Sequence, residues 1–169
     1  MRKLIILKSL IDFIWIVSCI PLIPLGLFFS LYMFYNEDVV RFLFSLNDIE
    51  IIEGSPALKV FLLLLIGLVF IIIYCLYIFR KTLRFFQQRK PFDIKVINNF
   101  NKIGILLAIS GIVASVLFFI FKLFFENKLK ISLGLGPYLL LICLGLFFVV
   151  LSEIFKISKK EKEENELTI

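Results

Sequence analysis

Residues 60–79 read VFLLLLIGLVFIIIYCLYIF, a run of twenty residues without one charged side chain. About 20 apolar residues in a helix cross the roughly 30 Å hydrocarbon core of a bilayer. Three more uncharged runs of similar length lie at 13–35, 103–121 and 131–152. All four runs are apolar on every side, which favours helices over a β-barrel. The sequence therefore predicts an all-α, polytopic membrane protein, a bundle of four transmembrane helices.

The composition agrees with this prediction. The chain has 169 residues, of which 61% are hydrophobic and 19% charged, whereas a soluble domain has about 45–50% and about 25%. This is the length of one domain, without an internal repeat or a linker, so we predict a single membrane domain over 1–169. Its last part, 153–169, is predicted to be a cytoplasmic tail.

Several classes of chemistry are disfavoured by missing residue types. The sequence has no His, and its three Cys are dispersed, which argues against zinc sites and catalytic triads. None of the four runs contains Asp, Glu, Lys or Arg, although proton relays and ion sites usually need such groups inside the membrane. We therefore expect a protein that is not an enzyme and has no cofactor and no metal.

Lys and Arg are distributed unevenly between the connections. The segments 1–12, 80–102 and 153–169 carry 14 of them, whereas 36–59 and 122–130 carry five. The positive-inside rule then places both termini and the middle connection in the cytoplasm. Lys8 and Asp12 interrupt the first apolar stretch, which favours a retained span over a cleaved signal peptide.

Small residues line one side of the third span. Gly104, Ala108, Gly111 and Ser115 are spaced by four, three and four residues, which lets another helix approach closely. Two interpretations stay open, a homodimer interface and packing within the bundle of one chain, of which the second is favoured.

Two prolines interrupt the first span. Pro21 and Pro24 remove helical donors and predict a kink near its middle. A kink can line a ligand cavity, but proline is also common in membrane helices without such a role.

The middle connection is predicted to hold two helix ends. Arg80 and Arg84 lie four residues apart, so the second helix should continue to about Gln88, where Pro91 stops it, and Asp93 can cap the next helix. The seven basic residues of 80–102 either hold anionic lipid or only set topology. Direct binding of nucleic acid is not expected, because the aromatic residues here have the bilayer as a closer partner.

The C-terminal tail is charged and has helical spacing. Lys159 with Glu163, and Lys160 with Glu164, are four residues apart and predict that the fourth helix continues to about Glu164. The tail is either a solvated end or a docking peptide.

Two short motifs carry a resemblance to a known family. They are the loop RKPFD at 89–93, followed by NNFNKIG at 98–104, and the ending EENELTI at 163–169. They resemble the bacterial membrane family called domain of unknown function 2975, which has four spans and typically ends Glu-Asn-Asp-Leu-Thr. Glu166 stands here in place of that Asp, and Arg89-Lys90 in place of a frequent Gly. The family has no established activity. Its genes often neighbour small Cro/CI-type helix-turn-helix regulators, which implies a membrane partner that senses a signal or sequesters a regulator.

The preferred functional hypothesis is contact between the cytoplasmic face and such a regulator. The candidate contact residues are Arg84, Arg89, Lys90, Pro91, Phe92, Glu163, Glu164, Asn165, Leu167 and Thr168. The alternative is a protein that binds lipid or a small molecule, or confers immunity to a membrane-active toxin, through a cavity beside Pro21 and Pro24. The one partner expected in either case is the lipid bilayer.

Overall fold

The computed structural model describes residues 2–36, 56–88, 91–125 and 136–167, and all of the regular elements among them are helices. The elements are α1 (Arg2–Ile14), a π-helical turn (Trp15–Cys19), α2 (Ile20–Tyr35), α3 (Pro56–Gln87), α4 (Ile94–Phe125) and α5 (Pro137–Leu167). The helix α1, the π-helical turn and α2 follow one another without a break, so the described chain forms four long helices.

Each of these four helices is long and apolar enough to cross a membrane. The helices α3 and α4 have 32 residues each, which is about 48 Å at 1.5 Å per residue and exceeds a 30 Å hydrocarbon core. They are longer than the apolar runs in the sequence because charged and polar residues at their ends continue the helical hydrogen bonding. Large apolar side chains such as Phe28, Leu31 and Leu140 face outward, as expected for contact with lipid.

The π-helical turn lies directly before the two prolines of the first helix. The N–H of Ile20 donates to the carbonyl of Trp15, five residues back, instead of the usual four. Pro21 has no N–H for the carbonyl of Val17, and its ring would crowd that carbonyl in a regular helix. A wider turn at this point relieves the crowding, so the irregularity falls one turn earlier than the prolines themselves.

Neighbouring helices are antiparallel, in an up-down-up-down order. Asp12 near the start of the first helix contacts Arg80 near the end of α3, and Ile97 near the start of α4 contacts Ser152 in the second half of α5. The helix α4 packs most extensively on α5 and also on α3, and the first helix packs on α3. The start of α1, the end of α3, the start of α4 and the end of α5 therefore share one end of the molecule. This end is called the turn end below.

Two separate hydrophobic clusters hold the helices together. At the turn end, Ile78 of α3 packs with Phe100 and Ile103 of α4 and with side chains of α5. At the opposite end, Met33 of α2 packs with Phe61 of α3 and with Phe121 of α4. Because α3 and α4 take part in both clusters, they form the centre of the bundle.

Candidate functional site

A layer of polar contacts connects the helices at the turn end. It consists of Asp12, Arg80, Thr82, Asn99 and Ser152 and is called the polar layer below. The guanidinium Nε of Arg80 donates a hydrogen bond to Asp12 Oδ1, which links α3 to α1. Their side chains are only 24% and 27% exposed. The ion pair is therefore partly shielded from solvent and lies where the apolar run of the first helix begins and that of α3 ends.

The other contacts of the polar layer link the remaining helices. Asn99 Nδ2 of α4 donates to the hydroxyl of Thr82 at 3.0 Å, and Thr82 Oγ1 itself donates to the carbonyl of Ile78 at 2.9 Å. Ser152 Oγ of α5 donates to the carbonyl of Ile97 at 2.9 Å. Thr82 and Ser152 are buried. Each pair of successive long helices is therefore joined by at least one polar contact at the same end.

Phenylalanine rings fill the space beside the polar layer. Phe100 of α4 stacks on Phe148 and Phe155 of α5, with ring centroids 5.8 and 5.6 Å apart. Phe86 of α3 lies 5.8 Å from Phe155 and 6.0 Å from Phe100. Phe92 completes this phenylalanine cluster at 5.9 Å from Phe155. The turn between α3 and α4 is thus fixed to α5 by aromatic packing.

The predicted helix ends at this turn are confirmed. The helix α3 ends at Gln87, and Pro91 lies in the turn that follows. Asp93 Oδ1 accepts the backbone N–H of Lys95 at 2.9 Å, which is the hydrogen bond of an N-terminal cap. The carbonyl of Asp93 also accepts the N–H of Val96, so α4 starts at the residue that the sequence indicated.

The predicted helical extension of the tail is also confirmed. The helix α5 continues without interruption to Leu167, and its residues 160–166 are exposed. The predicted ion pairs Lys159–Glu163 and Lys160–Glu164 both have a nitrogen–oxygen distance of 3.6 Å. A third pair, Lys162 with Glu166 at 3.7 Å, follows the same spacing.

The candidate contact residues fall into different environments. Arg84 is exposed at the end of α3, whereas Pro91 and Phe92 are half-buried in the turn. Glu163, Glu164 and Asn165 are exposed on the last turns of α5, which ends at Leu167. The candidates Arg89, Lys90 and Thr168 lie outside the described residues. The turn and the tail therefore offer accessible groups at the same end of the bundle, while Phe92 belongs to the packed aromatic cluster.

The small residues of α4 face α5 of the same chain. A Cβ atom added at Gly104 would lie 2.6 Å from Val149 Cγ2, and one added at Gly111 would lie 2.7 Å from Ile142 Cγ1. Ala108 lies between them, and Ser115 is exposed. The first three residues of the stripe therefore line the contact between α4 and α5.

Gly145 of α5 supplies the other half of this contact and was not among the predicted packing residues. A Cβ atom there would lie 2.5 Å from the backbone nitrogen of Ala108 and 2.7 Å from the carbonyl oxygen of Gly104. The residues Gly104, Ala108, Gly111 and Gly145 are called the glycine seam below.

The residues of the predicted kink lie on the surface. Pro21 and Pro24 are both exposed, in the first helix. They contribute to the backbone irregularity described above and lie away from the polar layer.

The residues of the polar layer were not among the sequence-based candidates. A signal for one of the contacts is nevertheless present, because Asp12 is the last charged residue before the run 13–35 and Arg80 is the first after the run 60–79. Two charged residues that border apolar runs on the same side of a bilayer lie at a similar depth in the membrane. Whether the two side chains meet depends also on how each helix is rotated about its own axis. A single sequence carries no comparable signal for that rotation.

Within the described ranges, no group of three or more His, Cys, Asp or Glu side chains is arranged to hold a metal ion. The four antiparallel helices, their outward apolar side chains and the polar layer at one end define a multi-pass, all-helical membrane protein.

A family model identifies this protein more closely. The chain belongs to the family described as Protein of unknown function (DUF2975), whose model matches residues 45–169. The resemblance carried by the loop motif and the C-terminal motif is thereby confirmed. The matched part contains α3, α4 and α5, and with them the glycine seam, the phenylalanine cluster and the tail. No curated protein and no solved structure matches the chain at a significant level.

Proposed function

We propose that this chain is a non-enzymatic protein of the bacterial inner membrane that holds a cytoplasmic helix-turn-helix regulator at its turn end. Both termini and the connection between α3 and α4 lie in the cytoplasm. The turn and the end of α5 form the surface that the regulator contacts.

Two independent observations support this orientation. Lys and Arg are concentrated in the segments 1–12, 80–102 and 153–169, which the positive-inside rule assigns to the cytoplasm. The antiparallel packing brings these same three segments to one end of the bundle. The charge pattern and the helix packing therefore agree on which segments share a side.

The observation that carries the proposal is the projecting end of α5. The apolar run ends at Ser152, and about 15 further residues continue as a helix with a rise of about 22 Å. Three ion pairs with a spacing of four residues stabilise this extension, each by about 0.2–0.5 kcal/mol. A tail that only fixed topology would not need to be a preformed helix with an exposed surface.

The charge of the tail fits a partner that binds DNA. Residues 161–166 contain four Glu and one Lys. A helix-turn-helix regulator presents Lys and Arg to the DNA phosphates. An acidic helix is complementary to such a surface, so binding to the tail would compete with binding to DNA.

Capture from the native host tests this proposal. The full-length protein in detergent and a truncation after Ser158 are used as bait, and the bound proteins are identified by mass spectrometry. We expect a small DNA-binding protein with the full-length bait that is absent with the truncation. Its target genes should change expression when the truncated chain replaces the full-length chain in cells.

Charge-matched variants make the test sharper. Replacing Glu163, Glu164 and Glu166 by Lys reverses the charge of the tail and should abolish capture of the regulator. Exchanging Lys160 and Glu164 preserves the net charge and the ion pair, and should leave capture nearly unchanged. Unchanged capture by the truncated or the reversed tail contradicts the proposal.

The π-helical turn favours a second candidate, binding of lipid or a small molecule, or immunity to a membrane-active toxin. Such turns are frequent at functional sites, and Trp15 in this turn lies 5.6 Å from the ring of Tyr77. This candidate predicts that Pro21→Ala and Pro24→Ala change survival of cells exposed to a membrane-active peptide. The truncation after Ser158 should then have no effect on survival.

A further inference from the structure

The cations of the turn end are not distributed evenly around the bundle. All four Lys residues of the α5 extension have a carboxylate within 3.6–3.7 Å, and Arg80 is paired with Asp12. In contrast, Lys81, Lys95 and Lys102 are exposed and form no ion pair with any residue that the structure describes. Uncompensated positive charge is therefore present on α3 and α4.

These three Lys residues converge on one side of the contact between α3 and α4. Lys102 Nζ donates to the hydroxyl of Tyr74 at 3.1 Å and lies 5.3 Å from the centre of its ring, so these residues face each other across the two helices. Lys81 follows Tyr74 by seven residues, and Lys95 precedes Lys102 by seven. Because seven residues make about two turns, Lys81 lies on the same face of α3 as Tyr74, and Lys95 on the same face of α4 as Lys102. The residues Tyr74, Lys81, Lys95 and Lys102 are called the lysine seam below.

We propose that the lysine seam binds the phosphate of an anionic phospholipid headgroup. Ammonium groups that lie on one side of a helix contact and have no carboxylate partner attract an anion. Asp93 lies near the lysine seam, but its Oδ1 accepts the backbone N–H of Lys95. This carboxylate therefore caps the start of α4 and forms no ion pair with a Lys ammonium group of the seam. A phosphodiester between Lys81 and Lys95 would replace the missing counter-charge.

Tyr74 and Lys102 extend the same site toward the apolar part of the membrane. Lys102 has three N–H donors and uses one of them on Tyr74. The hydroxyl of Tyr74 accepts that bond, and its own O–H remains a donor for a second phosphate oxygen or an ester carbonyl. Lys102 is also the last charged residue before the run 103–121, so the site lies at the depth of lipid headgroups.

The surface below the lysine seam suits an acyl chain. Gly67 precedes Tyr74 by seven residues on α3, and Ile109 follows Lys102 by seven on α4, so they continue the same two helix faces. A Cβ atom added at Gly67 would meet nothing within 4 Å. Ile109 is 52% exposed. The seam is therefore open and apolar directly beneath the charged groups.

Lipid titration of the full chain in detergent, read by native mass spectrometry, tests the proposal. The wild type should bind phosphatidylglycerol more tightly than phosphatidylcholine. The double variant Lys81→Gln, Lys95→Gln should bind phosphatidylglycerol about thirtyfold more weakly, because each basic residue near an anionic surface contributes about 1 kcal/mol and 1.4 kcal/mol is tenfold. The double variant Lys81→Arg, Lys95→Arg should keep the preference for phosphatidylglycerol over phosphatidylcholine.

A charge-matched control removes two Lys residues elsewhere at the same end. The variant Lys156→Gln, Lys160→Gln loses the same charge on α5 and should bind phosphatidylglycerol like the wild type. Far-UV circular dichroism confirms that each variant remains helical. Equal weakening in both double variants, or no preference for phosphatidylglycerol in the wild type, overturns the proposal. Displacement of the lipid by excess inorganic phosphate overturns it as well, since the site would then belong to a free anion.

Discussion

The guanidinium group of Arg80 is hydrogen-bonded to the carboxylate of Asp12, a residue 68 positions earlier in the chain. This contact joins the first helix to α3 at the turn end. Both groups terminate an apolar run, so the ion pair fixes the depth of one helix relative to the other. Away from it, the first helix meets α3 mainly through apolar side chains.

Breaking this ion pair should loosen the first helix. Asp12→Asn and Arg80→Gln each leave one polar group at an apolar boundary without its ionic partner, and each should lower the free energy of unfolding by about 1–2 kcal/mol. Both side chains are about a quarter exposed to solvent, so the loss of stability should be smaller than for a fully buried ion pair. Thermal unfolding in detergent measures the loss.

A double-mutant cycle separates the contact from other effects of these substitutions. If Arg80 and Asp12 interact as described, the double variant is hardly less stable than either single variant. Additive losses would show that each side chain acts through something else.

Gly145 should tolerate no side chain. Gly145→Ala places a methyl group 2.5 Å from the backbone of α4, so α4 and α5 must separate, at a cost of about 1–3 kcal/mol. Gly67→Ala is the matched control, because its methyl group meets nothing within 4 Å. Thermal unfolding should distinguish the two variants, and equal stability of both would argue against close packing at the glycine seam.

Thr82→Val tests the hydrogen bond between α3 and α4. Valine has nearly the shape of threonine but cannot accept the N–H of Asn99, so we expect a loss of about 1 kcal/mol. Ser110→Ala is the control, because the buried hydroxyl of Ser110 bonds only to the carbonyl of Leu107 in its own helix. A smaller loss for Thr82→Val than for Ser110→Ala would contradict the assignment.

The cap of α4 can be tested locally. Asp93→Ala removes the acceptor for the N–H of Lys95 and should weaken the helix start by about 1 kcal/mol. Hydrogen exchange of the amides in the first turn of α4 should become faster. Asp93→Ser retains a capping oxygen and should exchange more like the wild type, and identical exchange in all three proteins would exclude a capping role.

Features that follow from local rules were predictable from the sequence. The four long helices follow from uncharged runs, the cap at Asp93 from its position after Pro91, and the pair Lys160–Glu164 from a spacing of four residues. In each case the interacting groups lie within a few residues or within one run. Their geometry is therefore fixed as soon as the helix forms.

Features that depend on how helices rotate against each other were not predictable. Gly104 and Gly111 form a visible stripe, but Gly145 stands alone in α5, and only the packed structure brings it against them. Phe92 is a predicted contact residue for a partner, but it packs on Phe155, more than 60 residues later. The π-helical turn escaped prediction because it depends on a shift of backbone hydrogen bonds and not on a side-chain pattern.

The uninterrupted course of α5 has a mechanical consequence. No turn or glycine separates its membrane part from its charged end, so the two move as a stiff lever. A tilt of about 10° at Ser152 carries the tip, about 22 Å away, through about 4 Å. The position of Leu167 thus reports the inclination of the helix inside the bilayer, and a change of membrane thickness or lateral pressure reaches the aqueous side through one continuous helix.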